Sequence, residues 1–199
     1  MLERIRKRVE GVINTLAMGA VRLHLSPAFI GSLGLTFSCL ASILFFLSPG
    51  DAFMVNLAAV LVLTSGLCDA LDGAVARATG KVSKFGGFMD STLDRYSDAF
   101  IFLGIIAGKL VDLGWGFTAL TGALLVSYVR AKAESLGVPL SGVGIAERAE
   151  RLLIIAFSSF LSIVSYGVIL IALLTHFTVI QRAAYVYSRL SSGRAVSVT

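Results

Sequence analysis

The sequence predicts an all-α, polytopic membrane protein with six transmembrane helices and an N-terminal amphipathic helix on the membrane surface. The first observation is the composition: hydrophobic residues make up 56% of the 199 positions and charged residues 15%. A soluble domain carries about 25% charged residues. The second is that the apolar residues form blocks near or above the ~20 residues needed to cross a bilayer. The third is a strong bias of basic residues toward one side of the predicted membrane.

Short breaks separate the apolar blocks. The breaks at 48–51 and 112–114 contain Pro, Gly and Asp residues that favour turns, and a weaker break lies near Ser165. The predicted spans are residues 27–48, 52–77, 87–108, 115–135, 147–164 and 167–189. Because no long linker interrupts the pattern, we expect one domain over residues 1–199, with a juxtamembrane helix at 1–25 and the helix bundle at 27–189.

Residues 1–25 have the pattern of a helix that lies on a membrane rather than that of a cleaved signal peptide. The segment has two acidic residues and no continuous apolar centre. Its apolar residues recur at helical spacing, which is typical of an amphipathic surface helix. They are Leu2, Ile5, Val9, Val12, Ile13 and Leu16.

The basic residues predict the orientation. With six spans, both termini and the segments near 77–87 and 135–147 share one side, which holds 16 of the 17 Lys and Arg residues. The other side holds Lys109. This bias predicts that both termini and the adjoining helix ends lie in the cytoplasm. The net charge of +5 is then explained by topology and by attraction to anionic lipid headgroups, so we expect no nucleic-acid partner.

Aspartates gather at the cytoplasmic portions of the second and third predicted spans. Asp69 and Asp72 are three residues apart, and Asp90, Asp94 and Asp98 follow one another at intervals of four, so each set occupies one helical face. A short loop between the spans makes them antiparallel and brings the two faces together. Asp69 lies about 26 Å along its helix, against a hydrocarbon core of ~30 Å, which places the cluster near the headgroups.

Such a cluster requires compensation by cations, because like charges a few ångströms apart otherwise force protonation. Oxygen ligands favour Mg²⁺, Mn²⁺ or Ca²⁺ over zinc. We therefore predict a metal site built from Asp69, Asp72, Asp90 and Asp94. The alternative is that the aspartates form ordinary ion pairs with nearby basic residues, namely Arg77, Lys81, Lys84 and Arg95.

The same region resembles the signature of the CDP-alcohol phosphotransferase family, D-x2-D-G-x2-A-R-x8-G-x3-D-x3-D. All eight fixed residues are present within 26 positions. They are Asp69, Asp72, Gly73, Ala76, Arg77, Gly86, Asp90 and Asp94.

The resemblance implies residue roles. Two divalent metal ions, Mg²⁺ or Mn²⁺, would be held by the four signature aspartates, and Asp94 would also act as general base on the acceptor hydroxyl. The nucleotide of a CDP-lipid would be bound by Asp69, Gly73, Ala76 and Arg77. The resemblance also implies a homodimer. The first span begins Ser26-Pro27-Ala28 and lacks the Asn that the family often has there.

A second group of basic residues lies on the last three spans and suggests an acceptor that carries a phosphate. Arg182 stands within an apolar helix, which is unfavourable unless it faces a partner or a wet cavity. The alternative is that Arg182 lies at the cytoplasmic helix end. The candidate phosphate-binding residues are Arg130, Lys132, Arg148, Arg151 and Arg182.

The segments 127–134, 147–152 and 181–182 resemble the inositol-phosphate branch of the family. That branch transfers a lipid-phosphate group from a CDP-lipid to inositol phosphate and releases CMP. Two alternatives stay open: the same reaction with glycerol 3-phosphate, and an ion transporter with a carboxylate-lined path. The sequence leaves open whether the lipid donor is CDP-archaeol or CDP-diacylglycerol, although the overall resemblance favours the ether lipid.

Overall fold

The computed structural model describes residues 2–49 and 51–191, with side chains from residue 11 onward. Within this part of the chain there are seven α-helices and no strands. The predicted all-α class is therefore confirmed. The helices are α1 (Leu2–Arg22), α2 (Pro27–Leu47), α3 (Ala52–Ala78), α4 (Lys84–Ala107), α5 (Leu113–Ser135), α6 (Arg148–Phe160) and α7 (Val164–Ser191).

Side-chain caps fix the starts of four helices. Ser26 accepts a hydrogen bond from a backbone N–H in the first turn of α2, and Asp51 and Asp112 do the same for α3 and α5. Ser83 caps α4, so this helix begins at Lys84, three residues before the predicted start at 87. Each cap satisfies a backbone donor that the helix itself leaves unpaired.

The weak break expected near Ser165 lies slightly earlier in the chain. The helix α6 ends at Phe160, and α7 begins at Val164. Between them Ser162 adopts a left-handed conformation with φ of 58°, and Ile163 N–H donates to the Ser158 carbonyl. The turn therefore forms without Gly or Pro, because a serine adopts the left-handed conformation. For this reason the sequence contains only a weak signal for the turn.

Length and composition qualify three of the described helices as membrane spans: α2, α3 and α7. The other bundle helices depart from a simple hydrophobic span. Asp90, Asp94, Arg95 and Asp98 interrupt α4. The helix α6 has 13 residues and a length of about 20 Å, less than the hydrocarbon thickness.

The bundle is built around α2 and α3. The helix α2 packs on α3 and α4, α3 also packs on α6 and α1, and α5 packs on α7. Close approach is made possible by small residues, as in many membrane helix pairs. A Cβ placed on Gly104 of α4 would overlap the backbone of Ser42 on α2, so these two helices are in direct contact. The main core contains fully buried residues from α2, α3, α4, α6 and α7, including Phe45, Val62, Ile101, Ile105, Ile155 and Ile171.

The helix α1 packs along α3, beside the start of α2 and the end of α3. Ala17 is buried, and Ile13 is half-buried against the same cluster. Val12 and Leu16 are exposed. Part of the predicted apolar face of α1 therefore contacts α3, and part of it points away from the bundle. The side chains of Leu2, Ile5 and Val9 lie outside the described part of the structure.

Candidate functional site

Three aspartates from two helices converge at one end of the bundle. Carboxylate oxygens of Asp69 and Asp72 on α3 and of Asp90 on α4 lie within 4.8 Å of one another. The short connection between Ala78 and Lys84 makes the two helices antiparallel, which brings their acidic faces together. Asp72 is buried, while Asp69 and Asp90 are half-buried.

Asp94 lies one helical turn beyond Asp90 and is held by arginine. Its Oδ1 is 2.8 Å from Nη1 of Arg148, and its Oδ2 is 3.6 Å from Nη1 of Arg95. Asp69 shares the same arginine, because its Oδ2 is 2.9 Å from Arg148 Nη1. Asp94 is therefore linked to Asp69 through Arg148.

The carboxylate set fits a pair of hard divalent cations. Four carboxylates carry a formal charge of −4, and all their ligand atoms are oxygens, which Mg²⁺ and Mn²⁺ prefer. Among the described residues, Arg148 and Arg95 are the basic side chains that form ion pairs with this set. The alternative of ordinary pairing also required Arg77, Lys81 and Lys84, and none of these forms a described ion pair with the aspartates.

The fifth aspartate of the pattern has a different environment. Asp98 is buried, and its Oδ2 lies 2.5 Å from Nη2 of the equally buried Arg151. Arg148 Nε lies 3.7 Å from Asp98 Oδ1. Asp98 thus serves as a buried partner for α6 and does not join the three-residue group.

A large cavity beside the carboxylates opens on the side of α1 and α3. It has a volume of about 610 Å³ and contains three of the four predicted nucleotide-binding residues, Asp69, Gly73 and Arg77. The guanidinium of Arg77 borders Gly73, because a Cβ there would lie at contact distance, 3.4 Å, from Arg77 Nη1. The fourth predicted residue, Ala76, lies outside the lining. The complete lining is Ile13, Asn14, Asp69, Ala70, Asp72, Gly73, Arg77, Asp90 and Asp94.

The pattern of residues in α1 did not indicate that this helix contributes to the cavity. Ile13 was expected to face the membrane, and Asn14 was not considered. The available signal was that Asn14 is a polar residue among the apolar positions of an amphipathic helix. Only the packing of α1 on α3 brings that amide into the cavity that the carboxylates line.

A second, wider cavity lies between α4 and α5. Its volume is about 810 Å³, and Asp90 and Asp94 line it as they line the first cavity. Arg130 contributes to the wall from α5, where its Nε donates a hydrogen bond of 2.9 Å to Glu134. The complete lining is Phe88, Asp90, Ser91, Thr92, Asp94, Arg95, Tyr96, Ala99, Leu124, Ser127, Tyr128, Arg130, Ala131 and Glu134. Asp90 and Asp94 therefore stand where two cavities meet.

The five predicted phosphate-binding residues do not form one exposed cluster. Arg130 lines the wider cavity, while Lys132 is exposed and lies outside that lining. Arg148 contacts the carboxylates, as described above. Arg151 is buried and donates to the Ala146 carbonyl and to Asp98.

Arg182 is buried by a different set of partners. Its guanidinium donates to the carbonyls of Val143 and Val126 and to Glu147 Oε1, at 2.7, 2.8 and 2.9 Å. Two interpretations of Arg182 were open: a side chain that faces a partner inside the bundle, and a position at the cytoplasmic helix end. These hydrogen bonds support the first. Arg182 joins α5, α7 and the segment before α6.

A glycine of α2 also shapes the carboxylate site. A Cβ placed on Gly31 would lie 2.8 Å from Asp72 Oδ2, closer than side chains pack. Gly31 therefore gives Asp72 the room to point toward Asp69 and Asp90. In the sequence the only signal was the pair Gly31 and Gly34 at helical spacing within an apolar span.

Comparison with protein families and with curated proteins gives one consistent result. The family model described as CDP-alcohol phosphatidyltransferase matches residues 24–180. Archaetidylinositol phosphate synthase of Pyrococcus horikoshii is 42% identical over 193 residues, which cover 97% of this chain and 100% of that protein. Phosphatidylinositol phosphate synthase of Cutibacterium acnes is 40% identical, with 77% of this chain and 75% of that protein covered.

Solved structures of phosphatidylinositol phosphate synthase from Mycobacterium tuberculosis have the same fold. The structure with CDP-DAG bound has a TM-score of 0.75 at 30% identity and covers 88% of this chain and 94% of that chain. The complex with manganese and citrate has a TM-score of 0.74, with 88% of each chain covered. The family match, the relatives and the shared fold agree with the carboxylate geometry: this chain belongs to the CDP-alcohol phosphatidyltransferase family.

Proposed function

We propose that this enzyme transfers a lipid-phosphate group from a CDP-lipid to an inositol phosphate, forming archaetidyl- or phosphatidylinositol phosphate and releasing CMP. The observation that carries the proposal is the position of Asp90 and Asp94, which line both cavities. A donor in one cavity and an acceptor in the other would meet at these carboxylates. The names of the relatives support inositol phosphate as the acceptor.

The donor side is proposed to be the cavity between α1 and α3. Arg77 and the open backbone at Gly73 would bind the nucleotide portion, and Asn14 would add an amide from α1. Asp69, Asp72, Asp90 and Asp94 would hold two divalent ions, Mg²⁺ or Mn²⁺. When bound, these ions supply charge neutralisation for the diphosphate and for the departing CMP. Ala76 would act through packing, since it does not line the cavity.

Asp94 is proposed to act as the general base. Its carboxylate accepts the proton of the acceptor hydroxyl as that oxygen forms a bond to the lipid-side phosphorus. The bond from this phosphorus to the bridging oxygen breaks, and the bridging oxygen leaves with CMP. The cavity walls would position the two substrates, and this positioning would supply the remaining rate acceleration, because phosphoryl transfer depends mainly on geometry and electrostatics.

The acceptor side is proposed to be the cavity between α4 and α5. Arg130 faces this cavity and is the strongest candidate for direct contact with the acceptor phosphate. Arg148 is close to the same carboxylates. Arg151 and Arg182 have partners inside the protein, so phosphate contact from them requires exchange of those partners. Lys132 would contribute charge from outside the lining.

The membrane arrangement is also part of the proposal. Helices α2 to α7 would provide six crossings, of which the 13-residue α6 is the shortest, with α1 on the cytoplasmic surface and both termini and the active site on that side. The basic residues support this orientation. Long exposed apolar side chains on the bundle, such as Phe46, Phe117 and Phe177, support lipid contact. A homodimer is proposed from family membership alone.

The test is CMP release by the purified protein with Mn²⁺ or Mg²⁺, a CDP-lipid and one acceptor at a time. Donors are CDP-archaeol and CDP-diacylglycerol, and acceptors are inositol 1-phosphate, glycerol 3-phosphate, free inositol and serine. We expect metal-dependent release with inositol 1-phosphate. Release with glycerol 3-phosphate alone would reassign the acceptor, and no release from folded protein would favour the ion-transporter alternative.

A further inference from the structure

Arg148 at the start of α6 occupies an unusual position for a residue expected to bind the acceptor phosphate. A single nitrogen, Nη1, lies 2.9 Å from Asp69 Oδ2 and 2.8 Å from Asp94 Oδ1. The side chain is 13% exposed, so the pairs are well shielded from water. The guanidinium thus bridges a carboxylate of α3 and one of α4, and both belong to the proposed metal site.

The contacts of Arg148 are held by charge rather than by directional hydrogen bonds. Its Nε and Nη1 are buried, and neither meets a partner at hydrogen-bonding geometry. Arg182, in contrast, donates three well-formed hydrogen bonds to two carbonyls and a carboxylate. Arg151 likewise donates to a carbonyl and to Asp98. Of these three arginines, Arg148 is the one whose contacts can be exchanged at the least loss of hydrogen bonding.

We propose that Arg148 is an internal counter-ion that competes with a divalent metal for Asp69 and Asp94 and thereby sets the metal affinity of the site. The inference deepens the proposed function, because it concerns the same carboxylates. A guanidinium and a divalent cation at the same carboxylate oxygens repel each other strongly at this distance. Metal binding to Asp69 and Asp94 therefore requires Arg148 to withdraw from them.

This competition has two consequences for the enzyme. Arg148 offsets part of the mutual repulsion of four carboxylates, so it stabilises the ends of α3 and α4 before metal binds. It also restricts the acceptor role assigned to Arg148 from the sequence. Because Nη1 lies against both carboxylates, the N–H groups on this nitrogen are turned toward them, so Arg148 can offer its whole guanidinium to an acceptor phosphate only after it has withdrawn from the metal site.

The test is a Mn²⁺ titration of the detergent-solubilised protein without substrates, with free Mn²⁺ followed by electron paramagnetic resonance. We expect Arg148→Gln to bind Mn²⁺ at least about tenfold more tightly than the wild type, because a competing positive charge is removed. In chelator the same variant should melt at a lower temperature, and Mn²⁺ should restore its melting temperature. A purely structural role predicts the opposite change in affinity.

Two further variants keep the inference testable. Arg148→Lys retains the charge with a smaller head group, and it should fold and bind Mn²⁺ with an affinity close to that of the wild type. Arg95→Gln is the matched control, since Arg95 lies 3.6 Å from one carboxylate oxygen and is more exposed, so its effect should stay below about threefold. Unchanged or weaker Mn²⁺ binding by folded Arg148→Gln would overturn the inference.

If Arg148→Gln does not fold, the role of Arg148 is tested with the wild type, Arg148→Lys and Arg95→Gln. The Mn²⁺ affinity of each is then measured from the rise in melting temperature that Mn²⁺ causes. Tighter binding by Arg148→Lys than by Arg95→Gln would then contradict neutralisation by charge. Failure of the proposed function would be seen separately, as absence of CMP release from protein that still shows the expected order of Mn²⁺ affinities. CMP release without that order would retain the function and reject the role of Arg148.

Discussion

The two ends of the helix bundle follow different physical rules. At the end that contains Phe45, Val55 and Val164, apolar side chains are buried and small residues bring backbones into contact. At the opposite end, four carboxylates stand close together with two cavities beside them. The same helices, α3 and α4, run through both ends.

The difference separates what holds the bundle together from what makes it an enzyme. The apolar end gains from close packing, and changes of volume there affect stability. The carboxylate end retains like charges whose repulsion opposes folding, as functional sites often do. Substitutions at the apolar end should therefore change the stability of the protein, and substitutions at the carboxylate end should change metal binding or turnover.

Asp94→Asn should abolish the chemistry while the fold is kept. The amide cannot accept the proton of the acceptor hydroxyl, so the rate of CMP release should fall by about 10²- to 10⁴-fold. The melting temperature in chelator should stay the same or rise, because one negative charge is removed from a crowded site. Asp51→Asn at the distant cap of α3 is the control. An Asp94→Asn enzyme with more than a tenth of the wild-type rate would contradict the assignment.

Gly104→Val should show the reverse pattern at the apolar end. The added side chain must displace the backbone of Ser42, so we expect a destabilisation of about 1–3 kcal/mol. Thermal unfolding in detergent measures this effect. Protein that remains folded at low temperature should keep most of its turnover per folded molecule. Gly19→Ala, where a Cβ meets nothing within 4 Å, is the control and should not destabilise, because Ala favours a helix over Gly by about 1 kcal/mol.

Gly31→Ala should affect the carboxylate end through position alone. The new methyl group would press on Asp72 Oδ2, and displacement of a metal ligand should weaken Mn²⁺ binding by about tenfold. A Mn²⁺ titration of this variant and of the control Gly19→Ala provides the comparison. Equal affinity in the two variants would show that α2 does not shape the metal site.

Asn14→Ala should produce the smallest change. If the amide contacts the nucleotide portion of the donor, the KM for CDP-lipid should rise by about three- to tenfold, and the KM for the acceptor should stay constant. Thr15→Ala is the matched control, because Thr15 is exposed on the same helix and donates to the Gly11 carbonyl. A uniform loss of kcat with both KM values unchanged would argue against donor contact.

Much of the architecture followed from local patterns in the sequence. The apolar blocks and the turn residues at 48–51 and 112–114 located most helix ends to within a few residues. The spacing of the aspartates required Asp69 and Asp72 to share one helical face, and the short connection to α4 brought Asp90 close. Both features depend on interactions within a few turns of helix.

Other features depend on contacts between residues far apart in the chain and could not be read from spacing. Five basic residues formed one group in the sequence, yet Arg151 and Arg182 are buried by partners that the sequence did not indicate. Arg148 lies against Asp69, which is 79 positions earlier in the chain. The contributions of Gly31 and Asn14 likewise arise only when α2 and α1 pack on α3.

The most direct test of the central claim is product analysis after the wild-type protein is incubated with CDP-diacylglycerol, inositol 1-phosphate and Mn²⁺. We predict one CMP for each new lipid, and a lipid mass that contains both the donor phosphate and the acceptor phosphate. Chelator should prevent the formation of both products. CMP accompanied by phosphatidic acid, with no lipid that contains inositol, would instead show hydrolysis and contradict transfer at the carboxylate end of the bundle.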